Sequence, residues 1–238
     1  GDVYKRQAWG NAGDQGAGIN LGISAGGAAL RMHHGFAIAP IYPPEHVLSG
    51  IVVNSAGQRF VSEESYHGVL GHDIAFHQGG KAWLITDKAS SFQFQQDDFL
   101  PVASANTIGD LAQQVGFPEG ALQTTVAYYN RHASNGEDPM FRKGSPHIRP
   151  LQGPPYQAWD LSVDSAFFPA HTFGGLHTTT ESRVLNSFGE EIPGLFAAGR
   201  TTAGLPMAPY IASGLSVGDC TFFGRRAGWA AAGRKVAA

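Results

Sequence analysis

Two neighbouring segments near the end of the chain combine residue types that can bind an electron-rich ligand. Residues 192–200 (IPGLFAAGR) predict a turn, a short buried strand and a glycine where the strand ends. Residues 210–218 (YIASGLSVG) predict a loop that opens a helix of small residues. The first N–H groups of a helix have no partner within the helix and carry partial positive charge. This order of elements therefore predicts a site for the negatively polarised edge of a ligand.

Other kinds of catalytic site find little support in the sequence. The histidine pairs at short spacing are His33/His34, His67/His72 and His72/His77. None has the four-residue spacing that places two histidines on one helix face, so no metal site is predicted. Residues 212–214 (ASG) lack the G-x-S-x-G frame of a hydrolase nucleophile. The single cysteine, Cys220, excludes an internal disulfide and a cysteine metal cluster.

The composition is that of a globular protein with a weakly charged surface. Of 238 residues, 42% are hydrophobic and 15% are charged, and the net charge is −3. No run of Lys or Arg is present, so nucleic-acid binding is not expected. No apolar stretch approaches the roughly 20 residues of a membrane span, and the cytoplasm is the expected location. The 32 glycines fit either tight turns or a backbone that approaches a ligand closely.

The apolar pattern predicts helices and strands on both sides of a proline-rich stretch. A compact helix on small residues is predicted within 19–32, extended chain over 36–41, and a hairpin over 51–61. A helix is predicted over 66–79, a buried strand over 82–85, helical structure over 108–134 and a closing helix over 215–232. Residues 135–158 predict an irregular return between domains.

The start of the chain is expected to be foreign to the fold. Residues 1–7 (GDVYKRQ) include no initiator Met and show no apolar periodicity, so we set them aside as a non-native leader. Residues 16–22 (GAGINLG) are not a G-x-G-x-x-G fingerprint, and no apolar strand precedes them. We therefore expect a C-terminal part of a longer protein, with its native sequence beginning near Ala8.

A series of short motifs, in this order and at this spacing, resembles the fumarate reductase and 3-ketosteroid dehydrogenase flavoproteins. The motifs are 18–19 (GI), 25–26 (AG), 53–54 (VN), 57–60 (GQRF), Glu63, 129–130 (YN), 136–138 (GED), 171–176 (HTFGGL), 183–185 (RVL) and 192–218. The resemblance implies FAD as cofactor and an α/β fold. It implies that residues 8–38 and 171–238 form a partial Rossmann-like FAD-binding domain, with residues 39–170 inserted as an α+β capping domain.

The resemblance gives catalytic roles to three residues. In the ketosteroid dehydrogenase branch, a tyrosine and the N–H of a glycine four residues later hold the substrate carbonyl, and Tyr210 and Gly214 match that spacing. A phenol of ordinary pKa, about 10, donates a hydrogen bond to a developing enolate without ionising first. In the fumarate reductase branch, a histidine in the motif of His171 binds a substrate carboxylate, and a histidine can also shuttle a proton. The alternative for His171 and Tyr210 is a packing role.

The same resemblance implies a set of flavin contacts. They are Gly174, Gly175, Gly199, Arg200, Ser213, Gly214, Leu215 and Ser216. The first two glycines would let the backbone approach the flavin ring, and the pair 199–200 would lie along the ribityl chain or ribose. The last four residues would offer N–H groups to the pyrimidine edge at the positive end of the closing helix. For Arg200, the alternative is a surface salt bridge.

Departures from the fumarate reductase branch argue against a dicarboxylate substrate. Tyr210 stands where that branch has its substrate arginine, and Ala39 stands where it has a histidine before proline. Residues 88–91 (KASS) lack its proton-donating arginine. Because a dicarboxylate needs cationic side chains at both ends, fumarate and succinate are rejected as substrates. Glu63 matches the branch, but pairing with Arg59 or capping a helix is its alternative role.

The expected function is hydride transfer between FAD and a carbon next to a carbonyl, in the dehydrogenation or reduction of a ketosteroid-like or other apolar ketone. An aromatic, weakly charged cap fits a small apolar carbonyl compound. Tyr42, Tyr66 and Tyr128 are candidate bases. Two alternatives stay open: the chain alone is an inactive fragment that does not retain FAD, or it is a flavin-free domain that binds an apolar ligand.

Overall fold

The chain forms two compact units in a computed structural model. The described residues are 10–39, 48–91, 100–166 and 168–233. One unit is Ile38–Pro169, and the other combines Ala8–Ala37 with Ala170–Ala238. Helices and sheets both occur, which confirms the mixture of the two that the sequence predicts. The expected leader, residues 1–7, lies outside the described residues.

The secondary structure elements are short. The helices are α1 (Ala17–Ser24), α2 (His67–His72), α3 (Ile108–Val115), α4 (Ala121–Ala133) and α5 (Leu215–Ala231). The strands are β1 (Ala29–Leu30), β2 (Gly35–Ala37), β3 (Ile51–Val53), β4 (Trp83–Thr86), β5 (Ala103–Ala105), β6 (Tyr156–Asp160), β7 (Ala170–Thr172), β8 (Gly175–Leu176), β9 (Arg183–Leu185) and β10 (Glu191–Phe196). A π-helical turn covers Asp73–His77, and 3-10 turns cover Ser145–His147 and Gly199–Thr201.

The Ile38–Pro169 unit is built on a four-stranded antiparallel sheet in the order β3-β4-β6-β5. Val52 of β3 pairs with Leu84 of β4, and both side chains are fully buried. β-Branched and aliphatic residues of this kind suit a strand that is covered on both faces. Leu111 of α3 and Leu122 of α4 pack with Ile51 in the same core cluster. The sheet and the two helices therefore enclose a complete hydrophobic core.

Two helices that the sequence predicts as continuous are interrupted. The predicted helix over 108–134 is divided into α3 and α4, because Gly116 and Gly120 adopt left-handed φ values of 88° and 72°. The predicted helix over 66–79 consists of α2 followed directly by the π-helical turn Asp73–His77. The turn changes which side chains face one another, since a π-helix bonds residues five apart instead of four.

Two predicted strand and helix assignments near the start are confirmed only in part. The predicted hairpin over 51–61 is reduced to one bridge between Val53 and Arg59, while the full ladder of β3 is with β4. The helix predicted within 19–32 ends at Ser24, because Gly26 takes a left-handed φ of 95° and β1 follows. The end of the extended stretch predicted over 36–41 lies partly outside the described residues.

The second unit contains three two-stranded antiparallel ladders: β1 with β8, β2 with β7, and β9 with β10. α5 begins and ends close to the predicted bounds of 215 and 232. Its buried residues are Asp219 and Ala230, and α1 has one buried residue, Gly22. None of the helices in the described part of the chain is long and apolar enough to cross a membrane.

Candidate functional site

Tyr210 lies in the loop that leads into α5, and it is only 6% exposed. Its hydroxyl oxygen accepts a hydrogen bond from the N–H of Ser216 at 2.9 Å, and Ser216 Oγ lies 3.0 Å from the same oxygen. The N-cap residue of α5 is Gly214, with a left-handed φ of 82° and no side chain that could cap the helix. The phenol therefore takes the place of a capping side chain at the start of α5.

Aromatic rings fix the position of Tyr210. The β2–β7 ladder pairs Phe36 with His171, and their rings stack at 5.8 Å between centroids with planes 10° apart. The ring of Tyr210 lies 4.6 Å from that of Phe36 and 5.6 Å from that of Phe173. Aromatic pairs at such distances add about 0.5–1.5 kcal/mol beyond their burial. Both predicted catalytic side chains, His171 and Tyr210, thus contact one ring, that of Phe36.

His171 is partly buried and lies close to the guanidinium of Arg200. Burial lowers the pKa of His171 below its usual value, and the positive charge of Arg200 lowers the pKa further. The neutral form of the imidazole is therefore favoured at pH 7. A neutral imidazole donates one hydrogen bond and accepts one, whereas a substrate carboxylate is held best by a cation.

Arg200 braces β7 from the 3-10 turn that precedes the α5 loop. Its Nη2 donates a hydrogen bond to the carbonyl oxygen of Thr172 at 2.5 Å, and its guanidinium carbon lies 5.2 Å from the centre of the Phe173 ring. Contacts of this second kind are cation–π interactions. The side chain is thus held by a carbonyl group and a ring in place of the salt bridge considered from sequence. Its contact with the ribityl chain stays a prediction.

The glycines of the site fall into two groups. A Cβ atom at Gly174 would lie 2.4 Å from the carbonyl oxygen of Arg31, and one at Gly175 would lie 2.3 Å from that of Thr201. Close packing of the chain's own backbone therefore requires both glycines, and their approach to a flavin stays a prediction. At Gly214, in contrast, a Cβ atom would meet nothing within 4 Å. The start of α5 is thus open on that side.

The start of α5 offers donors of the kind that a flavin's electron-rich edge requires. The N–H of Gly218 bonds to the carbonyl oxygen of Gly214 at 2.9 Å, so the amides before it are not used within the helix. One of these predicted flavin donors, the Ser216 N–H, is used by Tyr210. The amides of Ser213, Gly214 and Leu215 are the candidate donors for the pyrimidine edge. This set of neutral N–H groups fits the flavin end of FAD.

The glycines of α1 serve packing. A Cβ atom at Gly18 would lie 2.8 Å from Thr201 Oγ1, and one at Gly22 would lie 2.3 Å from Leu176 Cδ1. These glycines therefore let α1 approach β8 and the 3-10 turn at Gly199–Thr201. Within the described residues 10–16, no strand precedes α1, so the arrangement lacks the strand–loop–helix order of a pyrophosphate site.

A buried ion cluster in the Ile38–Pro169 unit was missed from sequence. Arg59 forms two hydrogen bonds to Asp138, at 2.8 and 2.9 Å, and two to Glu63, at 3.0 and 2.8 Å. Lys143 Nζ lies 2.9 Å from the Glu63 carboxylate and donates to the carbonyl oxygen of Gly50 at 2.6 Å. All four charged side chains are at most 2% exposed. Glu63 therefore has its alternative role, pairing with Arg59.

The pKa values in this cluster show how strongly its members interact. Burial alone would lower the pKa of Arg59, but Asp138 and Glu63 outweigh it and raise that pKa overall. Burial would raise the pKa of Asp138, but the hydrogen bonds from Arg59 lower it overall. Burial, followed by the nearby Glu63 charge, raises the pKa of Tyr129 to about 12. Two cations and two anions thus compensate one another, which is the behaviour of a structural cluster.

The described residues include two of the three candidate bases. Tyr42 lies outside them. Tyr66 precedes α2, its ring is 4.0 Å from that of His67, and both residues line a pocket of about 190 Å³. Tyr128 of α4 packs its ring 4.7 Å from that of His132. Tyr66 therefore borders a pocket in its unit, whereas Tyr128 contacts a neighbour on its own helix. A role as base stays a prediction for both.

Comparisons with known proteins place the chain among flavoproteins. Residues 3–213 match the family described as FAD binding domain. The structure of 3-ketosteroid-delta4-(5alpha)-dehydrogenase from Rhodococcus jostii RHA1, in complex with 4-androstene-3,17-dione, is 41% identical with a TM-score of 0.81, over 91% of this chain and 45% of that chain. The 3-oxo-5-alpha-steroid 4-dehydrogenase of Comamonas testosteroni is 32% identical over 80% of this chain and 40% of the relative. The fumarate reductase (cytochrome) of Shewanella frigidimarina is 31% identical over 91% of this chain and 39% of the relative. The chain thus spans less than half the length of these relatives.

Proposed function

We propose, from the premise that this chain belongs to the FAD binding domain family, that it is part of an oxidoreductase acting on a carbon–carbon bond beside a carbonyl group. The family match confirms the resemblance drawn from the motifs, and FAD is the family's cofactor. One observation carries the proposal: the Tyr210 hydroxyl lies at the start of α5, where the backbone at Gly214 is open. Tyr210 precedes Gly214 by four residues in the sequence.

We assign the two units to the two halves of such an enzyme. The unit formed by Ala8–Ala37 and Ala170–Ala238 is proposed as part of a Rossmann-like FAD-binding domain, and Ile38–Pro169 as the α+β cap that covers the substrate. The division of the chain into these units supports the assignment. The donors at the start of α5 support it further, because all of them belong to the unit formed by Ala8–Ala37 and Ala170–Ala238.

Tyr210 and Gly214 polarise the substrate carbonyl. The phenol donates one hydrogen bond to the carbonyl oxygen, and the Gly214 N–H donates a second. When the neighbouring carbon loses its proton, negative charge builds on that oxygen, and two donors fixed in place stabilise it. Removing one donor from such a pair costs about 10²- to 10³-fold in kcat in well-studied cases.

The predicted flavin contacts form a second group, beside the residues that bind the substrate carbonyl. When bound, FAD supplies the acceptor or donor of the hydride that the substrate carbon gives or takes. The amides of Ser213 and Leu215 would face its pyrimidine edge, where the positive end of α5 favours negative charge, and the Gly214 N–H would be left for the substrate carbonyl. Arg200, held by the Thr172 carbonyl oxygen, would lie along the ribityl chain or ribose.

We propose an apolar ketone or enone of the steroid class as substrate. The related Rhodococcus structure contains 4-androstene-3,17-dione, and the Comamonas relative is named for a 3-oxo steroid. The site supports this class, because Tyr210 and the neutral His171 offer hydrogen bonds without the cationic pair that a dicarboxylate needs. Fumarate and succinate are therefore not proposed as substrates.

The test is turnover of 4-androstene-3,17-dione and other apolar ketones by the complete gene product and its Tyr210→Phe variant. We expect the variant to lose about 10²- to 10³-fold in kcat, because one donor to the carbonyl oxygen is removed. Tyr156→Phe is the matched control, since it removes a phenol oxygen from a partly buried ring in the other unit. We expect this control to keep wild-type turnover.

Two results would contradict the proposal. Equal turnover by the wild type and Tyr210→Phe on every ketone tested would remove Tyr210 from the mechanism. Reduction of fumarate with no activity on any ketone would overturn the substrate class.

A further inference from the structure

Ser216 makes two contacts with the hydroxyl oxygen of Tyr210. Ser216 donates its backbone N–H to that oxygen at 2.9 Å, and its Oγ lies 3.0 Å away. We propose that Ser216 is a positioning residue that directs the phenolic proton of Tyr210 toward the substrate carbonyl. This inference rests on the proposed function, because that function makes Tyr210 the donor.

The hydrogen-bonding capacity of a phenol explains how Ser216 can set the direction. A phenol oxygen can accept two hydrogen bonds and has one proton to donate. The Ser216 N–H occupies one acceptor position, and when the Ser216 hydroxyl donates as well, it occupies the second. The phenolic proton of Tyr210 must then point away from Ser216. A carbonyl oxygen placed there receives it.

The same arrangement strengthens Tyr210 as a donor. When Tyr210 donates to an oxygen that gains negative charge, part of that charge passes to the phenol oxygen. Two hydrogen bonds into the phenol oxygen stabilise this charge, and chains of hydrogen bonds reinforce one another. The N-terminal end of α5 contributes partial positive charge at the same point. Ser216 thus acts on the substrate through Tyr210.

The surrounding structure leaves this role to Ser216. Gly214, the N-cap of α5, has no side chain, so no capping hydroxyl or carboxylate competes for the Ser216 N–H. The rings of Phe36 and Phe173 contact the ring of Tyr210 and therefore fix the position of its hydroxyl oxygen at the start of α5. Rotation about the C–O bond sets where the phenolic proton points, and the two contacts from Ser216 restrict that rotation.

The first test compares Ser216→Ala and Ser216→Thr in the complete gene product. Ser216→Ala keeps the backbone N–H but removes the hydroxyl, and we expect kcat to fall about ten-fold, the effect of one hydrogen bond, with little change in KM. Ser216→Thr restores a hydroxyl and should recover most of this loss. Thr221→Ala is the matched control, since that hydroxyl contacts only carbonyl oxygens of α5.

A double-mutant cycle tests whether Ser216 acts through Tyr210. In the Tyr210→Phe background, Ser216→Ala should cause no further loss of kcat, because the oxygen on which Ser216 acts is gone. Losses that multiply would show that Ser216 acts independently of Tyr210 and would overturn the proposal. Failure of Ser216→Thr to recover activity would also count against it.

A measurement without turnover separates this proposal from the proposed function. In the 238-residue chain without FAD, the NMR signals of the Ser216 amide and the Tyr210 Cζ carbon report on the hydrogen bonds to the phenol oxygen. We expect Ser216→Ala to move the Tyr210 Cζ signal and Ser216→Thr to leave it near its original position. An unmoved signal in Ser216→Ala would overturn the positioning role. A moved signal together with full activity of Tyr210→Phe would instead overturn the proposed function and the directing of the proton toward a substrate, while the hydrogen bonds from Ser216 to the phenol oxygen would stand.

Discussion

The helices of the two units bury their residues to very different extents. In the Ile38–Pro169 unit, the 13-residue α4 buries an apolar stripe that includes Leu122, Val126 and Tyr129. In the other unit, the 17-residue α5 buries only Asp219 and Ala230. The exposed apolar side chains of that unit include Leu21 (74%), Val217 (68%) and Phe222 (54%). The helices α3 and α4 thus contribute buried side chains to a core, whereas α1 and α5 leave apolar side chains in contact with water.

This difference separates the unit with a buried apolar core from the unit that carries the proposed chemistry. Burial contributes about 25 cal/mol for each Å² of apolar surface removed from water. The buried core therefore stabilises the Ile38–Pro169 unit. Exposed apolar surface, when it is extensive, marks an interaction surface or a risk of aggregation. We therefore expect the Ile38–Pro169 unit to be the more stable one.

The largest expected effect concerns FAD. We predict that the 238-residue chain, purified without added flavin, retains no stoichiometric FAD after gel filtration. The reason is that its described residues offer donors for the flavin end but no strand–loop–helix pyrophosphate site. Visible flavin absorbance measured against protein concentration checks the prediction, with the complete gene product as the positive control. A one-to-one ratio in the 238-residue chain would show that this chain binds FAD without such a pyrophosphate site, and would refute the prediction.

The second prediction concerns the buried ion cluster of the more stable unit. Glu63→Ala should lower the free energy of unfolding by about 3–5 kcal/mol, because it leaves Arg59 and Lys143 buried without a carboxylate that pairs with both. Urea denaturation followed by tryptophan fluorescence measures the change. Glu191→Ala is the matched control: its pair with Arg183 is longer, at 3.6 Å, and partly exposed, so about 0.5 kcal/mol or less is expected. Equal losses would refute the structural importance of the cluster.

The third prediction is loss of stability in acid. The pKa of Asp138 is lower in the folded protein than its ordinary value of 3.8, since the hydrogen bonds from Arg59 outweigh the effect of burial. The ionised carboxylate therefore stabilises the fold fully above pH 3.8, and this stability is lost as the pH falls through the lower, folded value. Asp138→Asn should flatten that dependence, and Glu137→Gln, a change at an exposed neighbour, should not. An unchanged acid profile in Asp138→Asn would contradict the assignment.

The smallest effect is expected on the surface of α1. Leu21→Ser should change the free energy of unfolding by no more than about 0.5 kcal/mol, because the leucine is mostly exposed in the chain. The same change should reduce binding of a hydrophobic dye such as ANS. Denaturation and dye titration of the 238-residue chain measure both quantities. A loss above about 2 kcal/mol would mean that Leu21 is buried in solution and that the contrast between the units is wrong.

Structure that depends on neighbouring residues could be predicted from the sequence. The bounds of α5 follow from Gly214, which can take the left-handed conformation before a helix, and β4 follows from a run of apolar residues. The division of the predicted 108–134 helix was missed because a glycine within a helical pattern often stays helical. Whether it breaks the helix depends on what the following segment packs against.

Contacts between distant residues could not be predicted in the same way. The i, i+4 spacing of Arg59 and Glu63 is a visible signal, but Asp138 is 79 residues from Arg59 and no local pattern joins them. For Tyr210 the sequence resemblance supplied a role, yet its bond to Ser216 depends on how the loop folds back onto α5. Side-chain partners of this kind are set by tertiary structure.

His72, which precedes the π-helical turn, and His77, which ends it, show how a local rule can fail. His72 and His77 are five residues apart, a spacing that would separate their rings on a regular α-helix. The π-helical turn at Asp73–His77 brings their ring centroids to 5.3 Å. Sequence spacing could not reveal this, because a π-turn has no simple sequence signature.

The enclosure of Lys143 makes this side chain a reporter of slow opening. Its side chain is 0% exposed, and its ammonium group contacts Glu63 and the carbonyl oxygen of Gly50. An amine-selective acylating reagent can modify it only while the cluster is open and the amine deprotonated. Surface lysines such as Lys81 also react through the deprotonated amine, but they need no opening of the structure. The labelling rate of Lys143 relative to Lys81, measured by mass spectrometry, therefore reports how often the interior of this unit opens to solvent.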